Sequence, residues 1–492
     1  MVDVVSYEPN INGFLDSASR AANVIREVAR NDGLIHVFSH LDADGVAAAG
    51  IMGKALFRLD ARFRIQITQW INEKIAGEIL SEKPQLVVFT DLGSGYVDFV
   101  NESLADFKTV ILDHHQIIGE ESANIVHVNP HLHGIDGARD VSGSGVAYLV
   151  TKAMDKANVD AAPVAVVGAL ADLQDKYDQR KLCGVNETIV KDAVDAGFLS
   201  VEKDLIFFGR ETRPIHRTLA STTNPFIPGI SGEEDKCLAF LASLDIKPRE
   251  GERWRALRDL SEDEKRRLCS ALADYLLSKG LRLEAANLIG HVYTLCHEEP
   301  WTPLRDAREF GVLLNGTGRM DRPSLGVAVC MGDRGSALEE ANKVLEEYRR
   351  SINKHLGWVM EKPERMKEFS NIYVVNGEDY INDKIVGAIS SILSSGLPNP
   401  EKPLIAYANV EDEGLAKISA RTVDCVTSKG LNLGNIMQVA AERFGGKGGG
   451  HNVAAGAQVP REKIGDFVEL VNELVGKRLK GEAIGSADSP RV

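Results

Sequence analysis

In the stretch "FSHLDADG", residues 38–45, one imidazole and two carboxylates, His40, Asp42 and Asp44, fall within five positions directly after an apolar run. Further on, Asp91 closes "VVFTD", Asp113, His114 and His115 close "TVILDHH", and Asp172 stands in "GALADLQDK". Two carboxylates about 4 Å apart repel by about 4 kcal/mol at an effective dielectric near 20, so four or five gathered aspartates cannot all ionise unaided. Divalent cations are what would neutralise such a cluster. Imidazole mixed with carboxylate suits Mn²⁺ or a similar first-row ion, whereas an all-oxygen cage would suit Mg²⁺ or Ca²⁺. The chemistry expected is hydrolysis at a two-metal site. A single Asp after a strand is ordinarily a helix N-cap, and Asp44 before "GVAAAG" fits that role taken alone. His127, isolated in a β-rich segment, reads as a satisfied structural residue. The metal reading rests on four such clusters recurring at strand ends.

The elements that must position these groups are legible as alternating patterns. "LIHVFS" (34–39), "FRIQI" (63–67), "LVVFT" (86–90), "TVILD" (109–113) and "NIVHVN" (124–129) are β-rich runs of the kind buried on both faces in parallel sheets. Between them "DGVAAAGIMGKALFRL", "INEKIAGEILSEK" and "GYVDFVNESLADF" carry amphipathic helical spacing. The fold class expected is α/β, with a doubly wound, mainly parallel sheet whose strand C-termini open onto one crevice. All the acidic and imidazole clusters lie at or beyond such ends.

Composition bounds the rest. A chain of 492 residues exceeds the roughly 250–300 at which single cores stop growing, so two or three domains are expected. A net charge of -14 excludes coating nucleic acid by bulk charge but leaves room for a local basic groove. Six cysteines without a C-x-x-C pair fit a reducing compartment rather than a disulfide framework or zinc ribbon. No signal-like or membrane-length apolar run occurs, so a cytoplasmic protein with no membrane partner is expected.

In order and spacing, "SHLDADG", "FTDLG", "ILDHHQ" and "GALADLQD" resemble the four motifs of the DHH phosphoesterase superfamily. That superfamily holds RecJ-type exonucleases, oligoribonucleases, cyclic-dinucleotide phosphodiesterases and manganese-dependent pyrophosphatases. The resemblance implies two Mn²⁺ ions, with Mg²⁺ as substitute: His40 and Asp42 hold one, Asp44, His114 and Asp172 the other, and Asp91 bridges them. It also implies that Asp113 orients from behind, that His115 faces the scissile phosphate, and that the nucleophile is a water between the ions.

A second signature lies in "LAKISARTVDCV" and "AERFGGKGGGHNVAAGA". Glycines 445, 446 and 448–450 permit positive φ in a loop whose amides can crowd round an anion, with Lys447 and His451 available for charge. It is not a P-loop, because no Ser/Thr follows the Gly-Lys pair and a helix-like segment precedes it. It resembles the G-G-G-H loop of the DHH-associated C-terminal domain. The resemblance implies substrate phosphate contacts from Ser419, Arg421, Gly448, Gly449, Gly450 and His451.

A third stretch, "LRDAREFGVLLNGTGRM" (304–320), reads physically as a helix ending at Gly316 or Gly318 with an exposed arginine. It resembles the "LNAAGR" segment of RecJ-type nucleases, which implies that Arg319 meets substrate. "GRETRPIHRTLASTTNPFIPGISG" (209–232) offers Arg210, Arg213, His216 and Arg217, either for phosphate contacts or to close the first domain, and resembles the archaeal RecJ-like branch. Residues 235–300 form a mixed-charge, helical-looking stretch with no chemical signature, and the family reading there is a contact with the GINS replication complex.

Five segments are expected: a DHH catalytic domain at 1–215, an inserted partner region at 216–305, a helical connector at 306–360, a smaller α/β substrate-binding domain at 361–480, and a disordered tail at 481–492. The function expected is a metal-dependent exonuclease on single-stranded DNA or RNA, 5′-to-3′ by analogy, gripping its strand across an interdomain cleft. Its rivals are a phosphodiesterase of short oligoribonucleotides or cyclic dinucleotides, a haloacid-dehalogenase-type phosphatase suggested by "DADGV", and a non-catalytic replisome scaffold.

Overall fold

The computed structural model describes residues 9–482 except 121, 223–224, 395 and 412–413, so most of the tail expected to be disordered lies outside the described residues. The chain divides into two compact units, residues 1–345 and 346–492.

The first unit is built on five parallel strands, β1 (Ile35–His40), β2 (Phe63–Thr68), β3 (Leu86–Thr90), β4 (Thr109–Leu112) and β5 (Ile125–Val128). Their order is β2-β1-β3-β4-β5. Side chains alternate between two cores. Ile35, Val37, Val88, Val110 and Leu112 face one, with α1 (Ile11–Arg30), α2 (Ala43–Arg58), α5 (Gly143–Met154) and α6 (Ala162–Ala171). Phe38, Val87, Phe89 and Ile111 face the other, with α3 (Glu73–Glu82) and α4 (Val97–Ser103). Helices on both faces explain why β1, β3 and β4 read as continuous apolar runs, whereas β2, expected to be buried on both faces, is a half-exposed edge strand in which Arg64 and Gln66 alternate with apolar residues. Because β2 lies on one side of β1 and β3 on the other, the sheet reverses its winding between β1 and β3, where open α/β sheets place their ligands.

After α7 (Val185–Asp195), strand β6 (Leu199–Leu205) pairs antiparallel with the distant β9 (Ile289–Leu295), Leu205 opposite Ile289. The intervening module holds α8 (Ile215–Ala220), α9 (Glu234–Ser243), a short hairpin of β7 (Arg249–Glu250) and β8 (Arg253–Trp254), α10 (Glu262–Ser278) and α11 (Arg282–Ala286). It has its own apolar cluster, including Phe207, Leu241, Leu257 and Leu272. The 235–300 stretch is therefore not all helical, since the apolar alternation of β9 ends it as a strand.

The helix α12 (Ala307–Arg319) then runs through both of the glycines expected to end it. Gly316 and Gly318 are buried, and a Cβ at Gly318 would lie 1.7 Å from the Leu41 carbonyl oxygen. These glycines serve close packing rather than termination, and Arg319 is half-buried, not exposed. Helices α13 (Pro323–Met331) and α14 (Ser336–Glu361) follow.

The second unit carries a six-stranded sheet in the order β10-β11-β12-β13-β15-β14: β10 (Met366–Glu368), β11 (Tyr373–Asn376), β12 (Leu404–Asn409), β13 (Leu415–Arg421), β14 (Lys447–Gly450) and β15 (Ala454–Pro460). Only the β11–β12 pair is parallel. Its helices are α15 (Val386–Ser394), α16 (Asp424–Thr427), α17 (Leu433–Arg443) and α18 (Ile464–Leu479); residues of α17 and α18 enter its core. No helix among the described residues is long and apolar enough to cross a membrane.

Candidate metal centre

The ends of β1 and β3 are tied one residue before the functional side chains. Ser39 is opposite Thr90 in register, and its Oγ accepts from Thr90 Oγ1 at 2.7 Å. The next residues are His40 and Asp91. Asp91 adopts a left-handed backbone, φ +54°, which Asp tolerates better than most residues. A Cβ on Gly143 would fall 2.4 Å from Asp91 Oδ1, so only glycine fits there.

The carboxylates and imidazoles form two groups that share Asp91. His40 Nδ1 lies 3.0 Å from Asp42 Oδ2 and 3.9 Å from Asp91 Oδ2. His114 Nε2 lies 3.2 Å from Asp91 Oδ1, 3.9 Å from Asp44 Oδ2 and 4.0 Å from Asp172 Oδ2. Asp44, Asp91 and His114 are buried, whereas the side chains of His40, Asp42 and Asp172 remain 26, 31 and 28 % exposed, so the cluster opens on their side. The N-cap of α2 is Asp42, whose carboxylate accepts from Gly45 N–H at 3.1 Å, and not Asp44, which sits inside the first turn.

The donor set fits a cation. The Nδ1–H of His114 donates to the Gly137 carbonyl at 2.6 Å, the backbone anchor usual for a metal-bound imidazole. That leaves the neutral ring's Nε2 lone pair facing three carboxylates. Asp91 Oδ1 is buried without a hydrogen-bond partner. Electrostatics say the same. Burial, then the charges of Asp44 and Asp42, push the Asp91 carboxyl well above its ordinary range. Burial pushes Asp172 up to about 6, with Asp44 and Asp42 adding to it against the pull of His114. Burial opposes charge on His114, but Asp91, Asp172 and Asp44 together raise its pKa well above normal. The site takes up positive charge as protons unless a cation supplies it.

Asp113 also lies within 4.8 Å of Asp91, His114 and His115, but its carboxylate is already filled. It accepts from Ser94 N–H at 2.8 Å, His114 N–H at 2.8 Å, His115 N–H at 3.3 Å and His115 Nδ1 at 2.7 Å. Burial notwithstanding, the His115 charge holds Asp113 well below the usual carboxylate range. Burial disfavours the imidazolium of His115, yet Asp113 wins and raises its pKa. The His115 side chain is 44 % exposed.

Several supports were not singled out as such from the sequence. Ser142 Oγ, Gly143 N–H and Ser144 N–H, at the start of α5, all donate to Asp44 at 2.7–3.1 Å. "SGSG" before an apolar run is a helix-start signal and could have revealed this anion-facing terminus. Gln174 Nε2 donates to Asp172 at 3.1 Å and to the Gly137 carbonyl at 2.8 Å. His127, structural as expected, reaches Ser94 Oγ at 2.9 Å, and Asn129 donates to the same hydroxyl and to the His115 carbonyl. Arg210 is buried against Asp204 at 2.7 Å and so is used in the module's own core.

In the second unit, Ser419, Gly456 and Gly449 line up across β13, β15 and β14, and Arg421 pairs with Ala454 at the same end. Ser419 Oγ lies 2.8 Å from Ser390 Oγ, and Arg421 Nε donates to Ser391 Oγ at 2.8 Å. The glycine run is not a loop: Lys447–Gly450 form the edge strand β14. Gly448 is required because a Cβ would fall 2.3 Å from the Met437 carbonyl oxygen of α17, and only Gly445 and Gly450 within the run have positive φ. His451 follows Gly450 and closes the turn to β15 through its N–H to the Ala454 carbonyl.

Comparison with known proteins agrees with this architecture. Residues 34–172 match the N-terminal domain of the DHH family, residues 207–289 the DHH-CID domain and residues 370–477 the DHHA1 domain. An uncharacterized protein of Methanocaldococcus jannaschii is 32 % identical over 474 residues, which is 95 % of this chain and 99 % of that one. The single-stranded-DNA-specific exonuclease RecJ of Haemophilus influenzae is 27 % identical over 181 residues, 35 % of this chain and 30 % of that one. Among solved structures, Mn²⁺-bound RecJ of Thermus thermophilus superposes with a TM-score of 0.57 at 16 % identity, over 94 % of this chain and 55 % of that one. Cdc45 of Entamoeba histolytica superposes at 0.61 and 12 % identity, over 94 % and 99 %. The chain belongs to the DHH family, with a RecJ-like fold; as a class these proteins are phosphoesterases, a kind of hydrolase.

Proposed function

We propose that this protein is an exonuclease that hydrolyses the phosphodiester bonds of single-stranded nucleic acid in replication or repair, 5′-to-3′ on DNA, using two Mn²⁺ ions for which Mg²⁺ can substitute. The observation that carries this reading is the place of Asp91 between the His40–Asp42 group and His114, which in turn lies within 4.0 Å of Asp44 and Asp172. Those six residues would hold the ions. When bound, the ions would neutralise the cluster and supply a hydroxide-like nucleophile near neutral pH. The protein's own part is positional. Asp113 fixes the His115 ring through Nδ1 and favours its charged form, so that Nε2 can hold the scissile phosphate or protonate the departing oxygen. Arg319, whose charge is felt at Asp42, would meet substrate on the open side. Ser419, Arg421, Gly448, Gly449, Gly450 and His451 would hold a phosphate of the strand.

The match to a RecJ named for single-stranded DNA and to RecJ structures holding Mn²⁺ supports this reading, and a competent ligand at each of the six positions favours it over a non-catalytic scaffold. The test is digestion of DNA and RNA strands labelled at one terminus or the other, with Mn²⁺ and after chelation. Progressive loss of long strands from one end supports the reading; cleavage confined to dinucleotides overturns it. The module at 216–305 is proposed to dock the GINS complex, and pull-down with and without residues 235–300 decides that, since equal recovery defeats it.

A further inference from the structure

α12 lies outside all three matched segments, yet one face of it touches both halves of the acidic cluster. At its start, Arg308 donates through Nε and Nη2 to Asp175 Oδ2 at 3.1 and 2.5 Å, and Asp175 is fully buried just beyond Asp172. One turn on, a Cβ at Gly311 would meet Ala171, the residue before Asp172, at 3.0 Å. A turn further, Asn315 Oδ1 accepts from Ala43 N–H at 3.1 Å, between Asp42 and Asp44. At the end, Gly318 rests on the Leu41 carbonyl. Positions 308, 311, 315 and 318 recur at helical spacing and so form one stripe.

The Asn315 bond has a specific consequence. Ala43 is the first residue of α2, and its N–H is one of those a helix cannot satisfy internally. With Asn315 on that N–H and Asp42 Oδ1 on Gly45 N–H, the loop is pinned from two sides and Asp42 Oδ2 is left turned toward His40. The other end of the stripe pins the turn carrying Asp172 in the same way, through a buried ion pair.

We propose that this face of α12 is a strut that sets the separation of the two halves of the metal centre, with Asn315 the positioning residue for the His40–Asp42 half and Arg308 for the Asp172 half. The proposal rests on the two-ion reading above.

The test is Mn²⁺ titration of the full chain by calorimetry and electron paramagnetic resonance, alongside thermal melting. Wild type is expected to bind two ions. Asn315→Ala is expected to weaken one of them about tenfold or more, as removal of such supports does elsewhere, and to diminish the ion–ion coupling in the spectrum. Asn315→Asp keeps the acceptor and is expected to restore the pair. Gly318→Ala, which must push Leu41 off the helix, is expected to weaken the same ion and serves if Asn315→Ala fails to fold. Arg308→Met, which leaves Asp175 paired with Arg180 at 3.5 Å so that no buried charge is left alone, is expected to weaken the other ion. Folded Asn315→Ala or Gly318→Ala protein holding both ions at wild-type affinity overturns the strut. Wild type binding no Mn²⁺ overturns the metal reading first and the strut with it, which tells the two failures apart.

Discussion

The two candidate regions of this chain are built on opposite charge logic. In the first unit, buried carboxylates converge on bare lone pairs and the surroundings demand positive charge. In the second, a guanidinium, a serine pair and a glycine-lined edge gather positive charge and hydroxyls in place of carboxylates. On the proposed function the two are complementary: the first would hold the ions that do the chemistry, and the second would hold a phosphate of the strand. The difference also separates their failures. Damage to the first should abolish turnover and metal uptake, whereas damage to the second should weaken grip alone.

Asp91→Asn gives the largest expected effect. It removes the one carboxylate common to both groups, and Mn²⁺ uptake with strand hydrolysis should fall together. A loss of about 4 kcal/mol of transition-state stabilisation, on the order of a thousandfold in rate, is expected in single-turnover assays. Uptake of two ions by this variant would break the assignment of Asp91 as the shared ligand. Next, His115→Asn should lower kcat by about a hundredfold, the usual size for one acid–base group, while calorimetry shows unchanged Mn²⁺ binding. If ion binding fell too, His115 would belong to the ligand set instead. Arg421→Ala should raise KM about tenfold to a hundredfold with kcat and metal uptake intact, since one charge-assisted phosphate contact is worth about 1.5–3 kcal/mol. A kcat defect there would blur the division between the two regions.

The smallest effect concerns a buried carboxyl with no metal-binding neighbours. Burial, with Asp306 adding, pushes Glu309 up to about 7 from an ordinary 4.5. Between those values the folded state keeps a proton that the unfolded state releases, so stability should fall as pH rises from about 4.5 to about 7 and level off above. Glu309→Gln should remove that fall, on the order of 1–3 kcal/mol, in urea melts across the range. Mn²⁺ should leave the slope unchanged, because here a proton rather than an ion relieves the burial.

Much of the first unit was legible in sequence. Each of the five apolar runs became a strand within a residue of its expected limits, because parallel strands covered on both faces leave a continuous apolar signature. The polar clusters at the ends of β1, β3 and β4 then had to meet, but Asp172, expected at a strand end as well, joins them from the C-terminal end of the helix α6. What the sequence concealed was contact made by small residues. Gly318 looked like a stop and is instead a packing surface, and Gly448 looked like loop and is strand, since glycine marks positive φ and close approach with the same letter. Burial of Arg210 was hidden for a related reason: its partner Asp204 is acidic in a segment that reads as exposed.

The ribbon of β6 and β9 carries a broader consequence. Leu205 and Ile289 stand opposite each other, so the chain departs into the module and comes back at a single doorway. The module has a core of its own, yet Glu211 N–H and the Thr212 hydroxyl donate to the buried Glu309 of α12, the helix that braces the metal centre. Removing or exchanging it would strip a buried carboxyl of its donors, so the module and the helix beneath it have to change together.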